Sequence, residues 1–539
     1  MWSVPPDLTW ALAFCGRYRG GLWGFFLLEV LSLFFGLLFI WQSKIAVDLA
    51  TRSEFVGMAS QIAMLCASLL LSFLCTLWAG RINEKTRANM LIDLQAMVAR
   101  AQMGAEMERA MSLSSGDLMV RSGTDAQETA QFLGNTWVST VLTFLRLLAA
   151  LAVLGWLDMD LALLLLVLCP LVLLSKSYFR RLRRLNGSIK HAEGELGGIL
   201  QENFRSRMFI RLLNRQRERL ERVGESQESL YEKKMELLDF STVSRGILGL
   251  VLQSGYLLTF VWGLLKLQGG EISFGTMTAF LQLVSRVQGP FVSILSLVPQ
   301  MLRSMASMER VVAVLRIPQE LDAEQVHLPE VAGMKLSEIE FSYGGNTVIR
   351  DFSAEFVKGV PTAVMGASGT GKSTLLRIMM GLHRPYRGKV ELASGHLMLT
   401  MSKSYRSNIA FVPQGDKLLC GTVRYNLVGQ REHVTDQEIF EALRVACAEF
   451  VHELPSGLDT LVGEGGFGLS EGQAQRVGVA RALLQDCGVW LMDEVTSALD
   501  PATAECLVRN LLEAGKDRVL IFVTHDEGLA QLCKKRFFI

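Results

Sequence analysis

Long apolar blocks, confined to the first part of the chain, constrain this protein more than any other feature of its sequence. A helix needs roughly 20 apolar residues to cross a bilayer, and six blocks approach that length. They are Gly21–Trp41, Met58–Ala79, Thr136–Trp156, Leu161–Leu174, Gly246–Leu267 and Phe274–Leu297. After these blocks the composition becomes that of an ordinary soluble protein. The pattern predicts a multi-domain membrane protein, with a six-helix all-α transmembrane domain at 1–315, a linker at 316–333 and a soluble domain at 334–539.

The connections between the predicted spans alternate in length and differ in charge. The two long connections, 80–135 and 175–245, are rich in Arg and Lys, and Arg81 and Lys176 lie beside the predicted membrane ends. Clustered basic residues at the ends of spans mark the cytoplasmic side. We therefore expect an integral protein of the bacterial inner membrane, with both termini and the soluble domain in the cytoplasm.

Overall charge and cysteine usage exclude other classes of protein. The formal net charge is +1 over 539 residues, which gives no indication of a nucleic-acid partner. The nine cysteines are scattered singly along the chain, and none are paired at the spacing of metal ligands. This usage predicts thiols in a reducing compartment, with neither a disulfide framework nor a zinc site.

A glycine-rich segment in the soluble half has the spacing of a phosphate-binding loop. It follows the short apolar run Thr362–Met365 and precedes the helical stretch Leu375–Gly381. Such a loop wraps phosphates with backbone N–H groups at a helix N-terminus. We expect Lys372 to reach the β- and γ-phosphates of ATP and the Ser373 hydroxyl to bind Mg²⁺. The ATP-binding residues predicted here are Gly366, Ser368, Gly369, Thr370, Gly371, Lys372, Ser373 and Thr374.

A second apolar run, Gly488–Met492, ends in two carboxylates. In phosphate-loop enzymes an acid in this place holds Mg²⁺, and we assign that role to Asp493. Glu494 is then placed to polarise the attacking water. The sequence therefore predicts an α/β P-loop NTPase domain that uses ATP and Mg²⁺.

Further motifs stand in a fixed order around these two. The segment Leu469–Arg476 lies between them, Ser497–Asp500 and Thr524–Asp526 follow, and Phe341–Tyr343 and Phe411–Gln414 complete the set. The ordered set closely resembles the ABC transporter ATPase over nearly all of residues 336–526. The six spans with long cytoplasmic extensions are similar to the exporter-type membrane domain of the same superfamily, so the chain resembles an exporter-type half-transporter.

The resemblance assigns roles to residues around one nucleotide. Tyr343 matches the aromatic residue that stacks on adenine. Gln414 matches the glutamine that contacts Mg²⁺ and water, and His525 matches the histidine at the γ-phosphate. The resemblance thus implies a catalytic set of Glu494, His525 and Gln414, with Mg²⁺ held by Ser373, Gln414 and Asp493.

The resemblance also implies that the chain works as a dimer. The signature residues Ser470, Gly472 and Gln473 match those that contact ATP held by the other subunit, and Asp500 matches an acid at the dimer interface. All the residues for two equal sites are present, which favours a homodimer and leaves a heterodimer open. Glu471 departs from the family pattern, where a glycine is usual, and we expect its side chain to point to solvent.

Two cytoplasmic segments resemble the family's coupling regions, which connect the motor domain to the membrane helices. They are Gly116–Asp125 and Gly198–Phe204. The leading functional prediction is ATP-driven export or flipping of a hydrophobic or amphiphilic molecule, such as a lipid, a peptide or a drug-like compound. An importer on an exporter-like scaffold is one alternative. An ATP-gated channel or regulatory module is another, which Glu494 and His525 argue against because a gate alone needs no hydrolytic set.

Polar residues inside the predicted spans are candidates for a substrate cavity. A charge in a span costs about 2.5–3.5 kcal/mol on insertion scales and usually faces protein or water. Two readings stay open: a cavity for an amphiphile with a polar head, or an interhelical ion pair that only holds the helices together. The residues concerned are Glu29, Arg146, Arg286, Gln253 and Gln282.

Overall fold

The computed structural model describes residues 6–51, 57–110, 113, 115–168, 176–320, 324–343, 345–367, 369–415, 418–429, 431, 433–463, 466 and 468–539. The chain divides into two compact units. The helical unit comprises Met1–Arg100 and Ser115–Arg316, and the sheet unit comprises Ala101–Ser114 and Ile317–Ile539. The sequence did not indicate that Ala101–Ser114 groups with the sheet unit.

The first part of the chain is helical over most of its described residues. These helices are α1 (Pro6–Gly16), α2 (Arg19–Thr51), α3 (Met58–Gly104), α4 (Met107–Ala110), α5 (Ser115–Val120), α6 (Ala126–Gln131), α7 (Trp137–Leu157), α8 (Met159–Leu168), α9 (Lys176–Arg205), α10 (Arg207–Leu212), α11 (Gln216–Gln268) and α12 (Phe274–Leu315). Two π-helical turns, Arg121–Asp125 and Phe132–Thr136, join α5, α6 and α7 into one rod. Helices suit an apolar chain in lipid, because they satisfy every backbone hydrogen bond within the segment.

Four helices in the described part of the chain are long and apolar enough to cross a membrane. They are α2, α3, the rod Gly116–Leu157 and α11. The predicted span Phe274–Leu297 lies within α12, which is not among these four. The predicted span Leu161–Leu174 falls partly outside the described residues. The helical transmembrane-type domain is thus observed, and the count of six stays a prediction.

Helix α12 lies at the centre of the packing in the helical unit. Its Phe280, Leu283 and Val284 are fully buried in a core shared with Leu154 and Leu161. At its start it meets the end of α2, where the Asp48 carboxylate accepts hydrogen bonds from the Gly275 amide at 2.8 Å and from Ser273 Oγ at 2.9 Å. A Cβ at Gly275 would lie 2.1 Å from the Lys44 carbonyl oxygen, so only glycine permits this contact.

An ion pair with a buried carboxylate fixes the far end of α12 to the first π-helical turn. Asp125 is 1% exposed, and its two carboxylate oxygens accept hydrogen bonds from Arg310 Nε at 2.7 Å and Nη2 at 2.5 Å. The Arg121 Nη1 atom donates to the Arg310 carbonyl oxygen at 3.3 Å. The predicted first coupling region, Gly116–Asp125, therefore lies in the helical unit and is anchored to α12. The second, Gly198–Phe204, lies near the end of α9.

The sheet unit contains eleven described strands and six further helices. The strands are β1 (Gly333–Tyr343), β2 (Asn346–Val357), β3 (Thr362–Met365), β4 (Arg387–Ser394), β5 (Leu397–Thr400), β6 (Ile409–Val412), β7 (Gly421–Thr422), β8 (Leu461–Val462), β9 (Val489–Asp493), β10 (Val519–Val523) and β11 (Lys535–Phe538). The helices are α13 (Lys372–Met379), α14 (Val423–Val428), α15 (Asp436–Val445), α16 (Glu471–Leu483), α17 (Pro501–Ala514) and α18 (Glu527–Leu532). Strands β2, β1, β4 and β5 form an antiparallel sheet in that order, and β7 pairs with β8.

A five-stranded parallel sheet forms the centre of this unit, in the order β11-β3-β10-β9-β6. Every residue of β3, β9 and β10 is buried. Continuous apolar runs of this kind are typical of parallel strands that are covered on both faces. Because the strands are parallel, their carboxyl ends meet at one edge of the sheet, where α/β proteins bind ligands. The phosphate loop follows β3, His525 follows β10, the two carboxylates end β9, and Gln414 follows β6.

The segment that ends α3 joins the chain that follows α12. Ala105 and Gln319 form an antiparallel bridge, and the Glu320 amide donates to the Gly104 carbonyl oxygen at 2.8 Å. Glu320 is in turn held by both terminal nitrogens of Arg406, each at 2.7 Å. These contacts explain why residues 101–114 belong to the sheet unit.

Candidate nucleotide site and membrane cavity

The phosphate loop connects β3 to α13 with the expected strand–loop–helix geometry. Helix α13 begins at Lys372, directly after Gly371, whose φ is +104°. A Cβ at Gly371 would lie 2.8 Å from Val348 Cγ1, so both backbone conformation and space require glycine. Lys372 Nζ donates to the carbonyl oxygens of Gly366 at 2.7 Å and Ala367 at 3.1 Å. Ser368, which the sequence assigned to this loop, lies outside the described residues.

The two carboxylates at the end of β9 differ in burial and in backbone conformation. Asp493 is 7% exposed, and burial raises its pKa to about 6, with the Glu494 carboxylate adding to the rise and Lys372 opposing it. Glu494 has a φ of +47°, a left-handed conformation that side chains rarely adopt. Its carbonyl oxygen accepts hydrogen bonds from Gln475 Nε2 at 2.8 Å and from Ser497 Oγ at 2.9 Å. These bonds stabilise the strained turn that aims the Glu494 side chain.

The Glu494 carboxylate, at the end of one strand, contacts two residues that follow other strands of the same sheet. Gln414 Nε2 donates to one of its oxygens, and His525 Nδ1 lies 3.0 Å from the other. The Glu494 side chain is 13% exposed, whereas that of His525 is 67% exposed. The predicted catalytic residues are therefore in direct contact, on a cavity of about 530 Å³.

The cavity brings together most of the predicted nucleotide-binding residues. Its lining among the described residues consists of Val348, Gly369, Gly371, Lys372, Ser373, Thr374, Gln414, Asp493, Glu494 and His525. A hydroxyl, a carboxylate and an amide oxygen are the hard ligands that Mg²⁺ prefers, and Ser373, Asp493 and Gln414 supply them on this one cavity. The donor set therefore fits Mg²⁺.

Tyr343, predicted to stack on adenine, lies away from this lining. Its hydroxyl is 2.9 Å from Nε2 of His383, a residue only 2% exposed. Its ring meets those of Phe341 and His383 edge-on. The adenine contact of Tyr343 stays a prediction, and His383 is a neighbour that sequence reasoning did not identify.

The signature residues form a separate group at the start of α16. Ser470 Oγ accepts a hydrogen bond from the Gln473 amide at 3.3 Å, and Gln473 Oε1 accepts one from the Ser470 amide at 2.9 Å. This reciprocal capping box fixes the first turn of α16. A Cβ at Gly472 would lie 2.6 Å from the Ala498 carbonyl oxygen. Glu471 is exposed, as expected from the sequence.

Asp500 begins α17 in a similar way, with Oδ1 accepting a hydrogen bond from the Thr503 amide at 3.0 Å. This backbone bond holds the pKa of Asp500 below its usual range. The cavity at the phosphate loop is not lined by Ser470, Gly472, Gln473 or Asp500, although the structure describes all four residues. Their expected role on the nucleotide of a second subunit stays a prediction.

The helical unit contains a smaller cavity of about 240 Å³ between α2, α7 and α12. Arg146 and Arg286 line it, together with apolar residues such as Leu33 and Leu37. Arg146 forms an ion pair with Glu29. Arg286 makes no hydrogen bond or ion pair with the residues that the structure describes, and its guanidinium lies against Gly36, 3.5 Å from where a Cβ would be.

The remaining polar candidates lie outside this cavity. Gln282 Nε2 donates to Ser43 Oγ at 3.2 Å, which ties α12 to α2, and Gln253 is exposed on α11. The two readings left open by the sequence overlap at Arg146, which lines the cavity and also pairs with Glu29. An interhelical ion pair describes Glu29 and Arg146, and a charged cavity wall describes Arg286.

Comparison with known proteins identifies the class. The family model described as "ABC transporter transmembrane region" matches residues 22–291, and the model "ABC transporter" matches residues 349–497. The chain belongs to the ABC transporter family, with a membrane region and an ATP-binding region fused in one polypeptide. The predicted resemblance to exporter-type half-transporters is confirmed.

Individual relatives include named lipid transporters. The chain is 29% identical over 461 residues to an "ATP-dependent lipid A-core flippase" of Chromobacterium violaceum, covering 83% of this chain and 78% of the relative. It is 28% identical over 414 residues to a "Fatty acid ABC transporter ATP-binding/permease protein" of Mycobacterium tuberculosis, covering 76% of this chain and 66% of the relative, just under two thirds of its length. The fold matches the structure of a bacterial Atm1-family ABC exporter with ATP bound, with a TM-score of 0.80 and 17% identity over 97% of this chain and 93% of the other.

Proposed function

We propose that this chain is one half of an ATP-driven exporter or flippase that moves a lipid-like amphiphile across the bacterial inner membrane. The observation that carries the proposal is the contact of Glu494 with both Gln414 and His525 on the cavity that also contains Lys372. A hydrolytic set of this kind has no use in a protein that only binds nucleotide. The lipid transporters among the relatives support the choice of substrate class.

The residues around the cavity have different roles in phosphoryl transfer. Lys372 neutralises phosphate charge, and Glu494 accepts a hydrogen bond from the attacking water and orients it. His525 and Gln414 keep the Glu494 carboxylate in place. Mg²⁺, held by Ser373, Asp493 and Gln414, would neutralise charge that develops on the phosphate oxygens. Catalysis of this reaction consists mainly of positioning and charge stabilisation, which this fixed arrangement provides.

We further propose that two chains assemble head to tail, each completing the nucleotide site of the other. The start of α16, with Ser470 and Gly472, is a helix N-terminus of the kind that binds phosphate, and it does not line the cavity at the chain's own phosphate loop. A second subunit that offers this turn would close the cavity over ATP. Both catalytic and signature residues are present, so we favour a homodimer, with the motor domains and both termini in the cytoplasm.

Arg286 indicates the kind of head group that the substrate carries. A charge in a membrane segment costs about 2.5–3.5 kcal/mol, and Arg286 has no anionic partner among the described residues that would offset this cost. A guanidinium binds carboxylates and phosphates through paired hydrogen bonds. The cavity beside it also has the apolar walls Leu33 and Leu37. We therefore propose an amphiphile with an anionic head.

The test uses the full-length protein in nanodiscs of uncharged lipid. Steady-state ATPase is measured while hexadecanoate, hexadecyl phosphate or hexadecanol is added, since these share one alkyl chain and differ in head group. We expect stimulation by the two anions only, lost in Arg286→Ala and partly kept in Arg286→Lys. Gln253→Ala, a change at a polar residue outside the cavity, is the matched control and keeps the response.

The possible results separate the parts of the proposal. If the parent protein hydrolyses no ATP under any condition, the motor function itself is wrong. Equal stimulation by hexadecanol and hexadecanoate would leave the motor intact and refute the anionic head. Inward movement of a labelled amphiphile in sealed vesicles would favour an importer on this scaffold.

A further inference from the structure

Two cysteines that are 59 residues apart in sequence meet in the sheet unit. Cys447 lies just after α15 and Cys506 lies on α17, with their Sγ atoms 3.4 Å apart. Cys506 is exposed and Cys447 is partly buried, and both are free thiols. The sequence shows these residues only as two isolated cysteines among nine.

The backbone at Cys447 is unusual for a residue with a side chain. Helix α15 ends with hydrogen bonds from the Ala448 amide to the Leu443 carbonyl oxygen at 2.7 Å and from the Cys447 amide to the Arg444 carbonyl oxygen at 3.1 Å. This is the Schellman pattern, in which glycine usually occupies the left-handed position. Cys447 occupies it with a φ of +52°, at a cost of about 1–2 kcal/mol relative to glycine. Strain of this kind indicates a role for the side chain.

Asn510 holds the two sulfurs close together. It lies one turn after Cys506 on α17, and its Nδ2 donates to the Val445 carbonyl oxygen at 3.1 Å. The same nitrogen is 3.6 Å from Cys447 Sγ and 3.8 Å from Cys506 Sγ. A disulfide has an S–S distance of about 2.05 Å. Bond formation therefore needs a relative movement of under about 1.5 Å.

We propose that Cys447 and Cys506 form a modification site that a hydroperoxide closes to a disulfide, with loss of ATP hydrolysis, and that a dithiol reopens. The Cys506 sulfur attacks one peroxide oxygen and the O–O bond breaks, which releases one alcohol and leaves a sulfenic acid on Cys506. Cys447 Sγ then attacks the Cys506 sulfur, the S–O bond breaks, and water leaves with the thiol proton. In total two thiols lose two electrons and two protons, and the hydroperoxide becomes alcohol and water.

Exposure and acidity set the order of the two steps. Burial, together with the hydrogen bond to Cys506, raises the pKa of the Cys447 thiol to about 12, so Cys447 stays protonated near neutral pH. Cys506 is the thiol that reagents in solution reach. Cys506 thus reacts with the peroxide, and Cys447 resolves the sulfenic acid next to it.

The contacts of each cysteine explain why closure would stop hydrolysis. Arg476 Nη1 donates to the Cys447 carbonyl oxygen at 2.6 Å, and Arg476 lies on α16, the helix that Ser470 begins. Cys506 lies on α17, which Asp500 begins. A disulfide joins α17 to the end of α15, and the Arg476 hydrogen bond connects that point to α16. It therefore restrains the two helices, α16 and α17, whose first turns we assign to the nucleotide of the partner subunit. The loss of hydrolysis rests on the proposed function, whereas formation of the disulfide does not.

The experiment treats the full-length protein in nanodiscs with cumene hydroperoxide and follows both products and activity. We expect a peptide pair joined through Cys447 and Cys506 in mass spectra, with two fewer free thiols per denatured chain. ATPase activity should fall at least fivefold and return with dithiothreitol. Cys506→Ser should keep its activity in peroxide. Cys447→Gly, which suits the left-handed backbone, should do the same, and Cys420→Ser, a change at another exposed thiol, should respond like the parent.

Each other outcome counts against the proposal. Absence of the joined peptide, or its replacement by sulfinic acid at Cys506, refutes the modification site. A disulfide that leaves ATPase activity unchanged, or equal inhibition of Cys506→Ser by peroxide, refutes control of hydrolysis by this pair. A reduced parent that hydrolyses nothing is a failure of the proposed motor function, and the mass spectra still decide on the disulfide.

Discussion

Two glycines on the same helix, Gly472 and Gly478, are expected to respond in opposite directions to the same change. Both lie on α16, and both are buried. A Cβ at Gly472 would lie 2.6 Å from the Ala498 carbonyl oxygen and 3.1 Å from Leu499 Cδ2. A Cβ at Gly478 would meet nothing within 4 Å. The pair therefore separates the effect of close packing from the effect of helix propensity.

The magnitudes follow from these distances. Alanine in a helix interior is more stable than glycine by about 0.5–1 kcal/mol, so Gly478→Ala should raise the free energy of unfolding by that amount. Gly472→Ala forces a methyl group against a backbone oxygen that cannot rotate away. Overpacking of this kind costs about 1–3 kcal/mol, and we expect a net loss of about 2 kcal/mol. For a domain of roughly 200 residues, each kcal/mol moves Tm by about 2–4 °C.

The assay is calorimetric unfolding of the full-length protein in detergent. The transition of the ATP-binding unit is identified by its upward shift with MgATP, because a ligand stabilises only the unit that binds it. We expect Tm to fall by about 4–8 °C in Gly472→Ala and to rise by about 1–4 °C in Gly478→Ala. ATPase should fall only in Gly472→Ala, because Ala498 is two residues before Asp500. A rise in Tm for Gly472→Ala would refute the packing argument at Ala498, and a fall for Gly478→Ala would refute the argument from helix propensity.

Three further changes test the site and its support. Glu494→Gln removes the carboxylate that we propose to orient water, and steady-state ATPase should fall about 10²–10⁴-fold, the range for general base catalysis, while ATP binding by equilibrium dialysis persists. Lys372→Ala removes the phosphate-binding amine, and the same dialysis should show loss of ATP binding itself. Arg406→Ala leaves Glu320 without its partner, and we expect a loss of about 2 kcal/mol in calorimetry, between the values for exposed and buried ion pairs. The Arg406 guanidinium holds the pKa of Glu320 below its usual 4.5, so this stabilisation is fully present above pH 4.5. It is lost as pH falls through the lowered value, and the difference between parent and variant should shrink there.

Much of the candidate nucleotide site could be predicted because its residues follow strands. The apolar runs Thr362–Met365 and Gly488–Met492, on which the prediction rested, match β3 and, to within one residue, β9. Once these strands lie parallel in one sheet, the residues that follow them lie at the same edge of the sheet. Their proximity therefore follows from the strand assignment alone. The phosphate loop and Glu494 were predicted from apolar runs of this kind, whereas His525 was assigned through the resemblance.

Contacts between residues far apart in sequence carried no such signal. The bridge from Ala105 to Gln319 and the thiol pair of Cys447 and Cys506 depend on how helices pack. No period or spacing in the chain places these partners side by side. The ion pair of Glu29 and Arg146 was one of two open readings, because a charge in a span only indicates that some polar partner exists.

Helix α16 contacts the carboxylate residue that we propose for catalysis and also carries the signature residues. Glu494 adopts a left-handed conformation, which costs about 1–2 kcal/mol in a residue with a side chain. The Gln475 side chain on α16 offsets this cost through its bond to the Glu494 carbonyl oxygen. Because Ser470 begins the same helix, any movement of α16 that brings its first turn to a partner's nucleotide also acts on Glu494 of its own chain. In the head-to-tail dimer that we propose, this arrangement connects each hydrolytic site mechanically to the nucleotide bound at the other site, through a helix that the sequence marks only by its signature residues.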